Sequence, residues 1–489
     1  MTTTRPPNLL FILTDEQRCD TLEAYGNSRI ECPNLNRLAR ESTVFERAYI
    51  TQPVCTPSRG SIMTGLHPHQ HGCVDNNALL DPRHAIWAER LPGHFATGYN
   101  GKWHLGDEVF PQRGFAEWVS TEDGYSPWFS QGRDRETKSS YYHFLAGHGF
   151  TPRGGIIFSR AEAARMEEPF SKPAFQAGQA CDFIRRHRAE PFALCVSFLE
   201  PHMPFFGPRD AQHPPEEVHL PGNFDHVPDA SQSRRARINR AATFARGFSG
   251  YPLQSERDWR EMIARYWGLC SLVDTAVGRI LASLEECGID DNTIVVFTSD
   301  HGDMMGSHRM IAKCLMFEES IRVPLMIRLP GQRSGSRVAR PVSSVDLAPT
   351  VLDLLGAKPT APLPGRSLRP ELEGQPVPEP TPVVVEWNGG NTSPLKGKDW
   401  EEYPAWAAEV GDPAGVRASL TDPVRTWIDP DGWKLTRSTI GEDELYHLPS
   451  DPGETSNRLA DPAARADFQR LDARLRQWQE QENDPVRFP

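Results

Sequence analysis

The chain has 489 residues, 38% of them hydrophobic and 24% charged, and a formal charge of −12. That length exceeds one ordinary core and predicts about two or three packed units of a soluble globular protein, while the acidic balance argues against a nucleic-acid partner. No apolar run approaches the roughly 20 residues that span a bilayer, and the nine cysteines follow no spacing that marks a disulfide framework or structural zinc.

Residues 8–13, NLLFIL, predict a first strand buried on both faces, ending in Thr14-Asp15-Glu16. The run closes in acids and not in a small-residue cleavage site, so it reads as a strand and not a signal peptide, and a cytoplasmic protein with no membrane partner is expected. The stretch from Cys55 to Gly65 predicts a helix, with Thr56 as cap, Pro57 at its first position and Gly65 at its end. Cys55 then lies at a helix N-terminus, which favours an anion, and Arg59 follows four residues on, near the same face. A lone cysteine is more often buried and inert. A cysteine phosphatase fits poorly, because its Cys and Arg bracket five residues where Cys55 and Arg59 bracket three.

Lys102 and His104 stand two apart in Gly101-Lys102-Trp103-His104-Leu105-Gly106 and face one side if that segment is extended. Taken alone they read as an exposed lysine and a core histidine. Residues 107–185, aromatic-rich and weakly periodic, suggest an insertion over a site. Aromatics of that stretch are more often packing than substrate contacts, while Trp118, Trp128 and Tyr141, with Trp387 and Trp400 further on, are open to either stacking on a sugar or aryl ring or packing in the core. FALCVSFL (192–199) predicts a second buried strand, followed by Glu200-Pro201-His202-Met203-Pro204, where prolines stiffen the loop that carries His202.

Apolar residues at helical spacing predict a helix over 258–287, stopped by Gly288. TIVVFTSD (293–300) predicts a strand ending in Asp300-His301, and VPLMIRL (323–329) another. Between them lies Lys313, by itself an ordinary solvated charge, and His308, a weaker candidate for the pocket. A helix is expected from Val345 to Leu355 and a Pro/Gly-rich linker over 356–381. PVVVEW (382–387), GWKLTR (432–437) and DELYHL (443–448), then a helical pattern over 463–482, predict a small antiparallel sheet with a closing helix.

Strands alternating with helices predict an α/β fold. Residues 1–375 are expected to form a large mixed, mostly parallel sheet sandwiched by helices, and residues 376–489 a smaller C-terminal α+β unit. Three strands end in chemistry, at Asp15-Glu16, His202 and Asp300-His301, so residues distant in sequence are expected to converge outside the carboxyl ends of the sheet.

The run Cys55-Thr56-Pro57-Ser58-Arg59, with Thr64-Gly65 behind it, resembles the hallmark of the type I sulfatases of the alkaline phosphatase superfamily. Gly101 to Gly106 resembles the second motif of that family. The resemblance extends from Asn8 to about Leu459 and implies an alkaline-phosphatase-like fold. It further implies that Cys55 is oxidised to formylglycine by a separate formylglycine-generating enzyme. A hydrated aldehyde carries two hydroxyls: one attacks sulfur, and the other then expels sulfate, a release that a serine cannot offer.

By the same resemblance, Asp15, Glu16, Asp300 and His301 hold a divalent metal beside Cys55, calcium being expected and manganese or magnesium the alternatives. Arg59, Lys102, His104, His202 and Lys313 handle the sulfate and the leaving alcohol. Two positions depart from the common pattern, which has Asp-Asp where Asp15-Glu16 stands and Asn where His301 stands. Histidine there also occurs in phosphonate monoester and phosphodiester hydrolases of the superfamily. The implied partner is a small sugar, aryl or alkyl sulfate ester. The identity of the alcohol and any homo-oligomer are left open.

Overall fold

The computed structural model describes residues 5–377, 381–390 and 392–489. A sheet of nine strands runs through its centre: β1 (Asn8–Asp15), β2 (Thr43–Tyr49), β3 (Ala96–Gly101), β4 (Glu117–Val119), β5 (Phe192–Pro201), β6 (Thr293–Ser299), β7 (Arg322–Val323), β8 (Leu325–Arg328) and β9 (Ser336–Ser343). Their order is β4-β3-β5-β1-β6-β8-β2-β7, with β9 paired to β2. Strands β4, β3, β5, β1 and β6 are mutually parallel, and β8 runs against its neighbours β6 and β2.

The central strand shows why the sequence folds this way. Every residue of β1 is buried, and successive side chains alternate between two cores. Leu10 and Ile12 enter one core, Leu9, Phe11 and Leu13 the other. Each of these side chains contributes at most about 1.5–3 kcal/mol by leaving water. A polar run here could not face helices on both sides.

Five helices position the site or cover the sheets: α1 (Cys55–Thr64), α2 (Lys172–His187), α3 (Glu256–Glu286), α4 (Leu347–Leu354) and α5 (Arg465–Gln481). Helices α2 and α3 pack on the face of Leu10, while α4 packs on the face of Phe11. Ser255 and Asp258 cap α3 reciprocally: the Ser255 hydroxyl accepts from the Asp258 N–H, and the Asp258 carboxylate from the Ser255 N–H. By length and composition α3 is long and apolar enough to cross a bilayer, contrary to the expectation that no segment is. However, 78% of its most apolar stretch is buried inside the fold, which marks a core helix.

The second sheet has four antiparallel strands, β10 (Val383–Asn388), β11 (Pro423–Ile428), β12 (Trp433–Ser438) and β13 (Glu444–His447), in that order. Helix α5 closes one face through Leu471 and Leu475 against Val384, Trp427, Leu435 and Leu445. The other face turns Val383, Val385 and Ile428 into the core of the main body. Three strands were expected and β11 is the addition. The expected linker is anchored near its middle: Leu368 and Leu372, around the short helix Arg369–Leu372, are buried in that same core, while residues 358–362 and 373–376 are exposed. Its residues 378–380 lie outside the described residues.

Candidate active site

The carboxyl ends of β1, β5 and β6 deliver Asp15 and Glu16, His202, and Asp300 and His301 to one place. Helix α1 enters it by its N-terminus and is buried along its whole length. It begins at Cys55, earlier than expected, and Thr56 does not cap it: the Thr56 hydroxyl donates to the His104 carbonyl and accepts from the Asn77 N–H. Gly65, at φ 74°, ends the helix as anticipated.

Arg59 organises the floor. Its Nε donates to Asp300 Oδ2 (2.7 Å), Nη2 to Asp15 Oδ2 (2.8 Å), and Nη1 to the Lys102 carbonyl and Ser197 Oγ. Four of its five N–H donors are engaged by the protein, and two of them fix the Asp15 and Asp300 carboxylates. Lys102 adds a bond from Nζ to Asp15 Oδ2 (2.6 Å). Burial opposes the charge on Asp15, yet Lys102, His202 and Arg59 together hold its carboxyl well below the usual range.

Glu16 adopts φ 67°, which few side chains do. The turn is held because its N–H donates to Asp300 Oδ1 (3.1 Å) and its carbonyl accepts from the Tyr266 hydroxyl (2.7 Å). Its Oε2 accepts from Lys313 Nζ (3.0 Å) and lies 3.3 Å from His202 Nε2, while Oε1 is buried with no described partner outside the Glu16–Asp303 carboxyl pair. Burial pushes the Glu16 carboxyl up to about 8, against the pull of Lys313.

Cys55 Sγ lies 3.1 Å from His301 Nε2 and 3.9 Å from Asp15 Oδ1. Burial, with Asp15 behind it, pushes the thiol up to about 11, so unmodified Cys55 is a poor nucleophile at neutral pH. Burial also keeps His301 neutral. Its Nδ1 meets the Gly302 carbonyl at 2.9 Å, which assigns the proton to Nδ1 and aims the Nε2 lone pair at Cys55. His104 sits at φ 60° with its Nε2 at 2.9 Å from Asn77 Oδ1 and its Nδ1 buried without a partner. His202 Nδ1 lies 2.8 Å from the Met203 carbonyl. Burial lowers the pKa of both His104 and His202, helped by Lys102 at the first and Lys313 at the second.

The donor set suits a divalent cation. Ligand atoms of Asp15, Cys55, Asp300 and His301 fall within 4.8 Å of one another, as do those of Asp15, Glu16 and His202. Two carboxylate oxygens beside them, Glu16 Oε1 and Asp303 Oδ2, are buried with no described donor outside their own pair. Hard carboxylate oxygens joined by one imidazole fit an ion of the calcium, magnesium or manganese type.

All ten residues singled out from the sequence therefore meet here. His308 does not; its ring stacks on Phe317 and contacts His226. Three positioning residues were missed. Asp303 accepts from the Met305 and Ala312 N–H groups and so pins the loop that carries Lys313; an acid three residues past Asp300 was the available signal. Glu108 accepts from the Trp103 and His104 N–H groups, both at 2.7 Å. Asn77, which orients His104, gave no signal. Cys55, Lys102, His202 and Lys313 open into a cavity of about 430 Å³, whose far wall comes from residues 121–128 and 157–163, part of the expected insertion.

The model of the sulfatase family matches residues 7–357. An arylsulfatase of Clostridium perfringens is 29% identical over 93% of this chain and 90% of its own length. The multifunctional alkaline phosphatase superfamily protein PehA of Trinickia caryophylli is 28% identical over 93% and 92%. The phosphonate monoester hydrolase of Silicibacter pomeroyi superposes with a TM-score of 0.78 at 23% identity, covering 97% of this chain and 96% of that one, which shows the shared fold. With the matched model spanning most of the chain, the protein belongs to the sulfatase family, the sulfuric ester hydrolases of the alkaline phosphatase superfamily.

Proposed function

We propose that the protein hydrolyses a small sulfate ester with a nucleophile formed from Cys55, which a separate formylglycine-generating enzyme oxidises. The observation that carries this reading is the position of Cys55: at the N-terminus of a buried helix, within reach of Asp15, Asp300 and His301, on the floor of a cavity that also exposes Lys102 and Lys313. Formylglycine would supply a hydrated aldehyde, and a divalent cation on Asp15, Asp300, His301 and Glu16, with calcium the first expectation, would supply Lewis-acid screening of the sulfate oxygens.

The remaining steps belong to the side chains. Lys102 and Lys313 bring two buried positive charges to the sulfate, preorganised before the reaction begins. His104 Nδ1, buried and unpaired, can accept a proton from a hydroxyl on residue 55. Lys313 carries its proton already and stabilises the leaving oxygen. His202 can act as the acid only by gaining a proton at Nε2, because its Nδ1 is turned to the Met203 carbonyl. Nine unpaired cysteines support action in the cytoplasm.

A second reading, hydrolysis of phosphonate monoesters or phosphodiesters, is favoured by His301 beside Cys55 and by the likeness to a relative described as multifunctional. Turnover of one phenol presented as its sulfate and as its methylphosphonate ester separates the two. A higher kcat/KM for the sulfate supports the first reading, and the reverse order replaces it with the second.

A further inference from the structure

The cavity has a second cationic feature, away from the metal cluster. Its far wall carries Arg160, whose Nε donates to Glu122 Oε2 and whose Nη2 donates to the Tyr125 hydroxyl, both at 2.6 Å. Glu122 also pairs with Lys172 through its other oxygen, so a single carboxylate stands between two cations. The two cations differ in access. The Lys172 side chain is 5% exposed and held by Glu122, whereas that of Arg160 is 34% exposed and lines the cavity. With Nε and Nη2 engaged, Nη1 makes no hydrogen bond among the described residues. Two other acids lie nearby: Asp123 turns its carboxylate to the Ser139 N–H and hydroxyl, and Glu200 is buried beside Lys172 on the side away from the main cavity's lining.

Arg160 is also placed for this role. Tyr125, which it holds, lies against the His104 ring with centroids 4.4 Å apart, and Trp128 stands at the mouth, 43% exposed. Tyr125 and Trp128 lie against one another, centroids 6.2 Å apart, and form one aromatic wall of the cavity; a ring packed along that wall, with its ester on Lys102 and Lys313, brings its far edge towards the guanidinium. A planar fork with free N–H groups suits a carboxylate or a second sulfate.

From this geometry we infer that the site is built for sulfate esters whose alcohol is a ring bearing a second anionic group, and that Arg160 is the residue that selects it. This rests on the sulfate-ester reading for the chemistry of the first group, but not for the preference. A quaternary ammonium alcohol, which an aromatic wall alone would welcome, is repelled by the same guanidinium.

The test compares phenyl sulfate with 3-carboxyphenyl sulfate and 3-(trimethylammonio)phenyl sulfate. Titration calorimetry on the unmodified Cys55 protein, which binds without turnover, gives Kd for each; kcat/KM is then measured on the matured protein. The carboxylated ester is expected to bind at least about tenfold more tightly than phenyl sulfate, and the ammonium ester more weakly than either. In Arg160→Gln the carboxylate preference should collapse towards unity, and in Arg160→Lys it should return in part, because charge is kept and the fork is lost. A wild-type preference at or below unity, or a preference intact in Arg160→Gln, overturns the inference. Lack of turnover on all three esters, with the binding preference intact, strikes the sulfatase reading and leaves the Arg160 subsite standing.

Discussion

Two of the places where this protein buries arginine among carboxylates, Arg59 and Arg425, differ in that the first forms a site and the second does not. In the C-terminal unit, Arg425 is fully buried and makes a two-bond fork with Asp484 (2.9 and 2.6 Å). Its remaining N–H groups go to Asn388 Oδ1 and the carbonyls of Trp387 and Val424. The carboxylates around it are matched: Asp484 is also bonded by Gln479, and Glu386 next to it by His69 and Asn388. Arg59 makes four such bonds, but its carboxylates are not matched. Asp15 and Glu16 keep oxygens that face Cys55, His202 and Lys313, and Glu16 Oε1 and Asp303 Oδ2 take no bond from any described group outside the Glu16–Asp303 carboxyl pair. Buried charge stabilises or specifies a fold when each polar atom is matched. It becomes a site when unmatched atoms share one cavity.

Substitutions in the two regions should therefore act on different observables. Cys55→Ala should lower turnover by at least about 10⁴-fold with little change in the thermal midpoint, and Cys55→Ser should give no more than one turnover per molecule in a burst experiment. Repeated turnover by the serine variant would break the role given to a second hydroxyl. Next in size, Asp300→Asn should reduce bound divalent metal, read by atomic emission, and lower kcat/KM by roughly 10²–10³-fold. Retention of full metal content would remove Asp300 from the ligand set.

Lys313→Ala should cost about 10²-fold, and more with poor leaving groups than with good ones. An equal loss on both would shift Lys313 from the leaving oxygen to sulfate binding alone. Arg425→Ala makes the opposite case. It should lower stability by about 3–5 kcal/mol in urea titrations, because Asp484 is left buried and unpaired, while kcat per folded molecule stays unchanged. A selective loss of kcat there would dissolve the distinction between the regions.

The sequence showed the strands that are apolar from end to end. β1, β5, β6 and β8 were legible because burial on both faces forbids polar residues. Others were hidden by the residues that tertiary context had to accommodate. β3 reads ATGYNG, with Gly98 pressed against Phe183 and Gly101 at φ 122° beneath the Ser197 carbonyl, and two glycines look like a turn until those contacts are known. β11 carries Arg425, which is compatible with a buried strand only because Asp484, 59 residues later, meets it. The site was legible through motif spacing at Cys55 and Arg59 and through acids at strand ends. Its supports, Asn77, Glu108 and Asp303, act on backbone groups and neighbouring rings; apart from the closeness of Asp303 to Asp300, no local pattern announces such contacts. Arg160 was equally silent, since its partner Glu122 lies 38 positions away.

The central claim is that Cys55 is the residue converted into the nucleophile. Peptide mass spectrometry on protein co-expressed with a formylglycine-generating enzyme tests it most directly. A Cys55 peptide lighter by about 18 Da, the difference between the thiol and the aldehyde, is the predicted result. A Cys55 peptide that keeps its unmodified thiol under those conditions would contradict the claim.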